Sequence, residues 1–156
     1  MILINNRQRK IKINSKDLHA KAAKMLEVLG YQDFDLGILL TTNASIHKLN
    51  KTYRHKDKPT DILSFPYHPE LKAGEKIKVQ SPDDKNLGDL IISLEYVQKE
   101  AHKTWNRTFD DHLTALLAHG IAHLLGYDHI LDKDYAVMQK VEKKLLEAVG
   151  LEKISQ

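Results

Sequence analysis

The chain has 156 residues, 42% of them hydrophobic and 29% charged, with a formal net charge of +3 and no cysteine. This is the size and composition of one soluble globular domain, and it excludes a disordered chain, a disulfide partner, a thiol nucleophile and a thiolate metal site. The charge is too small to identify a nucleic-acid binder, the start turns polar at Asn5 and Asn6 too early for a secretory leader, and no apolar run is long enough to span a membrane, so the chain reads as cytoplasmic with no membrane partner.

Residues 1–5 and 10–13 read as short strands. Ser15 is the expected cap of a helix in which Leu18, Ala22, Met25, Leu26 and Leu29 recur at helical spacing until Gly30 ends it. Residues 34–42 read as a buried strand. Asn43 then caps a helix to about Tyr53, and 61–66 form a strand closed by Pro66. The stretch 67–86 is polar and holds Pro69, Gly74 and Pro82; a connection this long is functional or disordered in most compact domains. A strand follows over 87–92, and Ser93 caps a helix to about Trp105. Asp110 or Asp111 opens the next helix, whose apolar face is Leu113, Leu116, Leu117, Ile121 and Leu124, with Gly126 as its break. Asp132 caps a last helix with Val137, Met138, Val141, Leu145 and Val149 on its core face. With no repeat or linker in view, the pattern predicts one α+β domain over 1–156: a small mixed β-sheet packed with four to five helices.

His119, His123 and His129 fall within eleven residues. Four residues are about one helical turn, so His119 and His123 share a face at a separation one ion can bridge. Gly126 can take a left-handed conformation and turn the chain so that His129 closes a third position. Three protein ligands leave a fourth position for water, the pattern of a catalytic, zincin-like site. Metzincin proteases share this spacing, but they carry a glutamate directly after the first histidine as general base, and here that place is Gly120. Peptide hydrolysis is therefore the weaker reading, and the missing side chain is expected to leave room for a bulky substrate. His112 lies seven residues earlier, about 10 Å along the helix axis, too far to ligate, and reads as a surface histidine. Asp128 is equally consistent with a turn aspartate and with a group that orients a ligand imidazole.

Two stretches are locally basic. One is Arg7, Arg9, Lys10 and Lys12; the other is Lys48, Lys51, Arg54, Lys56 and Lys58, within the segment LNKTYRHKDKPTDILSFP that starts at Leu49. Together with LGDLIIS from Leu87 and the three-histidine stretch, that segment resembles the YbeY family of bacterial ribosomal-RNA maturation factors, in the same order over about residues 34–150. The resemblance implies a zinc-dependent, single-strand-specific endoribonuclease acting in 16S ribosomal RNA 3′-end maturation and ribosome quality control. It also implies one zinc ion per chain on His119, His123 and His129, and a functional arginine at Arg54. Ala122 stands where the family commonly has a larger apolar residue, and the 67–86 connection is longer than usual.

A guanidinium at Arg54 can grip a phosphodiester and stabilise charge developing on its oxygens. Lys51, Lys56 and Lys58 would add attraction to ribosomal or other single-stranded RNA, with Lys56 the expected substrate contact beside Arg54. Tyr53 or Tyr67 could stack on a base, although Tyr53 reads first as a core residue. Asp61 and Asp89 are expected to be structural. The small ribosomal subunit or its proteins are the implied partners. Two other readings remain: an assembly factor whose metal is only structural, and a metallopeptidase.

Overall fold

A computed structural model describes residues 1–151. Four strands, β1 (Ile2–Asn6), β2 (Asp35–Thr41), β3 (Ile62–Pro66) and β4 (Asn86–Ser93), form one sheet in the order β1-β2-β4-β3. The β1/β2 and β2/β4 pairs are parallel; β3 runs antiparallel to β4 at the edge and ends in Pro66, which cannot donate to a further ladder. The helices are α1 (Ser15–Leu29), α2 (Asn43–Arg54), α3 (Leu94–Glu100), α4 (Phe109–Leu124) and α5 (Asp132–Ala148). The mixed sheet with five α-helices is the α+β architecture expected from the sequence.

Alternation along the strands sets the core. Leu36, Ile38 and Leu40 of β2 and Leu90 and Ile92 of β4 are buried on one face, where they meet Leu18, Ala22, Met25 and Leu26 of α1 and Leu113, Leu117 and Ile121 of α4. Helix α4 is buried on most of its circumference because it lies between the sheet and α5.

The expected strand at 10–13 does not form. The Gln8 side chain takes the place of a strand partner: its Nε2 donates to the Ile11 carbonyl at 2.9 Å, and its Oε1 accepts from the Ile11 N–H at 2.9 Å. Two backbone groups are thereby satisfied without a ladder. Several caps lie one or more residues before the expected ones. Asn14, Thr42 and Thr108 accept from the N–H groups of Asp17, Ser45 and Asp111, whereas Leu131 before α5 offers no side-chain cap. Ser93 occupies the cap position of α3, but its hydroxyl donates to Asn43 Oδ1 at 2.8 Å instead.

The helix expected to reach Trp105 stays α-helical only to Glu100. Residues Ala101–Trp105 widen into a π turn, closed by Asn106 in the left-handed conformation (φ 50°) and by Arg107 N–H donating to the Ala101 carbonyl at 2.9 Å. On α5 the core face is Met138, Leu145 and Leu146, interrupted by Glu142; Val137 is exposed, because it sits on the outer side of the helix. Among the described residues, no helix is long and apolar enough to cross a membrane.

Candidate metal centre

Helix α4 builds the centre. His119 and His123, one turn apart, are half-buried on the side facing the cleft, while Gly120, about 100° further round the helix, touches the sheet. A Cβ at Gly120 would lie 2.7 Å from Ile62 Cδ1 and 2.9 Å from Leu90 Cδ2. The glycine therefore permits close packing of helix on sheet, and the room it leaves is filled by Ile62 and Leu90. This corrects the expectation that it makes space for substrate.

The turn after α4 is a Schellman-type closure, with Gly126 N–H donating to the His123 carbonyl at 3.0 Å and Tyr127 N–H to the Ala122 carbonyl at 3.1 Å. Gly126 has φ 90°, and a Cβ there would collide with the Leu71 carbonyl oxygen. The 67–86 connection thus braces the turn that carries His129, and none of its residues lines the cleft in front of the histidines.

One nitrogen from each of His119, His123 and His129 lies within 4.8 Å of the others. His119 Nδ1 meets Glu142 Oε1 at 2.7 Å, and His123 Nδ1 meets the Tyr127 carbonyl oxygen at 2.9 Å. Both partners accept, so each Nδ1 donates, which leaves Nε2 as the atom each ring can offer to an ion. Those two Nε2 atoms face one another at 3.0 Å, an arrangement of opposed lone pairs that a cation between them relieves. Burial and the neighbouring His119 push His123 down to about 4, which keeps it neutral at pH 7. The donor set and its orientation fit a divalent transition ion with a free coordination position.

The sequence reading missed Glu142. It is 9% exposed on the core face of α5, lines the cleft beside the histidines, and holds His119 through Nδ1. A carboxylate inside an otherwise apolar stripe was the available signal, since a buried charge requires a partner. Asp128 instead accepts the Ile130 N–H at 3.3 Å, the turn role. Replacing Glu142 with glutamine keeps the shape but removes the charge at His119 Nδ1; metal affinity should fall roughly 10- to 100-fold with the fold retained, as a competitive chelator titration would read.

The histidines open onto a cleft of about 900 Å³ that also receives Arg54 from the end of α2, Asp61 and Ser64 from the β3 side, and Arg107 and His112 from the start of α4. Arg54 is exposed and makes no ion pair among the described residues. Lys56 is exposed but does not line this cleft: α2 ends at Arg54, and His55 in the left-handed conformation (φ 58°) redirects the chain. Tyr53 is 61% exposed, with its ring edge against Phe65 at 5.3 Å, so it is not a core residue. Tyr67 is exposed beside His68 and outside the cleft. Asp61 has the structural role expected: its Oδ1 accepts the Ile62 N–H at 2.7 Å. Asp89 is exposed and lies over Gly37, where a Cβ would collide with it.

His112 departs most from expectation. It is 2% exposed, with Nδ1 at 3.2 Å from Arg107 Nη1 and its ring 6.0 Å from that of Trp105. The π turn and the left-handed Asn106 fold Trp105 and Arg107 back over it, which helical spacing does not foretell.

Comparison with known proteins assigns the chain. The family model described as Endoribonuclease YbeY matches residues 3–150. The chain belongs to the YbeY endoribonuclease family. The human endoribonuclease YbeY is 40% identical over 149 residues, covering 96% of this chain and 88% of that protein. The YbeY protein of Vesicomyosocius okutanii is 36% identical over 151 residues, 97% of each chain. Among solved structures, the solution structure of a Thermotoga maritima protein superposes with a TM-score of 0.57 at 27% identity, over 94% of this chain and 90% of that one. The YbeY match thus spans the sheet, the arginine segment and the three-histidine turn together.

Proposed function

We propose that this chain is a zinc-dependent endoribonuclease that cuts single-stranded RNA, acting in the cytoplasm on ribosomal RNA, at the 3′ end of the 16S species, and in ribosome quality control. One domain and one ion per chain suffice for this reading. The observation that carries it is the joint opening onto one cleft of three converging imidazoles and of Arg54, which makes no ion pair among the described residues.

His119, His123 and His129 would hold the ion, and an all-imidazole set suits zinc. When bound, zinc supplies Lewis acidity toward a phosphoryl oxygen and lowers the pKa of a coordinated water to about 7. Glu142 and the Tyr127 carbonyl fix the two helical rings so that Nε2 stays aimed at the ion. Arg54 donates to the scissile phosphate and stabilises the charge that grows on its oxygens as the new P–O bond forms. Lys51, Lys56 and Lys58, outside the cleft, draw the RNA backbone toward it and carry no chemistry. Gly120, turned into the sheet, leaves no carboxylate where a metzincin keeps its base, which disfavours the peptidase reading.

Cleavage of end-labelled single-stranded RNA tests this. Arg54→Ala should lower kcat/KM by about 10²–10³ with zinc content unchanged, the loss typical of one charge-stabilising donor. Arg54→Lys should recover part of it. Equal rates for all three proteins would exclude Arg54 from the chemistry.

A further inference from the structure

Arg54 and the three histidines account for one part of the cleft lining, and a second group of side chains, at and just before the start of α4, has no place in that chemistry. The Arg107 guanidinium lies 4.6 Å from the centroid of the Trp105 ring, and its Nη1 meets His112 Nδ1 at 3.2 Å. A guanidinium can only donate, so His112 Nδ1 accepts and its proton sits on Nε2. That Nε2–H is buried and has no hydrogen-bond partner among the described residues. A buried donor without an acceptor is costly, and it is kept in a ring that belongs to the lining of the cleft. Trp105, 38% exposed, is unusual as a large aromatic left half uncovered beside a cation.

We propose that Trp105, Arg107 and His112 form a second nucleotide subsite, which takes the RNA unit next to the one cut at the histidines. Arg107 donates to the neighbouring phosphate, a base stacks on the exposed part of the Trp105 and Arg107 pair, and His112 holds Arg107 in place. The chemistry of the wall is donors plus a π surface, with cationic charge, which selects an anion carrying a planar ring. Burial and the adjacent Arg107 lower the His112 pKa, in keeping with its role as a neutral prop. The subsite rests on the reading that the cleft takes RNA. It implies that two phosphates are held at once, by Arg54 and by Arg107, and this would favour chains of nucleotides over mononucleotides.

Trp105 is the only tryptophan of the chain, so its fluorescence reports on this wall alone. Zinc-loaded protein is titrated at 4 °C with a short, end-labelled single-stranded RNA, reading tryptophan emission and the anisotropy of the label, while a gel of the same samples reads cleavage. The subsite predicts quenching that saturates with the Kd given by anisotropy. It predicts affinity weakened about tenfold in Arg107→Ala and at least about fivefold in Trp105→Ala. Arg107→Lys, which keeps the charge should the alanine variant misfold, should still bind at least about threefold more weakly. RNA that binds with no change in tryptophan emission and with equal Kd in the variants would overturn the subsite. Quenching and weakened variants without any cleavage on the gel would support the subsite and contradict the catalytic reading. No RNA binding at all would overturn both.

Discussion

His123→Ala is expected to abolish RNA cleavage and tight zinc binding while leaving the protein folded. The substitution removes one of three ligands whose lone pairs converge, a larger loss than removal of an orienting partner, so zinc affinity should fall by more than about 100-fold. The ion is asked to supply several kcal/mol of charge stabilisation, so the rate should fall by about 10³ or more. The fold should survive because none of the three histidines belongs to the core, which is made of apolar side chains from α1, α4, α5 and the sheet. Alanine is also the best helix former, and His123 lies in the last turn of α4. Metal analysis and thermal denaturation of the purified variant check both halves. A variant that unfolds on losing zinc would instead mark the ion as structural, because binding energy would then be folding energy, and would favour an assembly factor over a nuclease.

Gly126→Val should be the most destabilising single change near the centre. The residue must adopt φ 90°, which costs an L side chain about 1–2 kcal/mol, and the added carbons would displace the Leu71 carbonyl and the chain around Lys72. Together these predict a loss of about 2–4 kcal/mol in urea denaturation. Zinc affinity should weaken as well, since His129 follows on the displaced turn. Gly74→Ala is the control: it shares a positive φ, 86°, but has nothing within 4 Å of its Cβ, so only the conformational cost of about 1 kcal/mol applies. Equal losses at the two positions would refute the bracing role of the 67–86 connection.

Periodicity made the main elements legible. The apolar spacing of α1 and α4, the alternation in β2 and β4, and the glycine after His123 each follow from local rules, and they were enough to predict an α+β fold and a three-histidine cluster. What stayed hidden depends on tertiary partners. Residues 10–13 have strand composition, yet the Gln8 side chain satisfies both backbone groups of Ile11. Gly120 read as space for substrate, although only the position of Ile62 and Leu90 could show that it faces the sheet. Glu142 lies 23 residues from His119, beyond the reach of any local motif. His112 looked exposed on helical spacing, because the π turn that covers it breaks that spacing.

Whether the three-histidine centre cuts RNA is decided by cleavage of an end-labelled single-stranded RNA by protein stripped of metal and then titrated with zinc, alongside His123→Ala treated identically. The stripped protein should be folded but inactive, cleavage should rise to a plateau at one zinc per chain, and the variant should give none. Cleavage that persists without zinc, or equally in His123→Ala, would place the chemistry elsewhere.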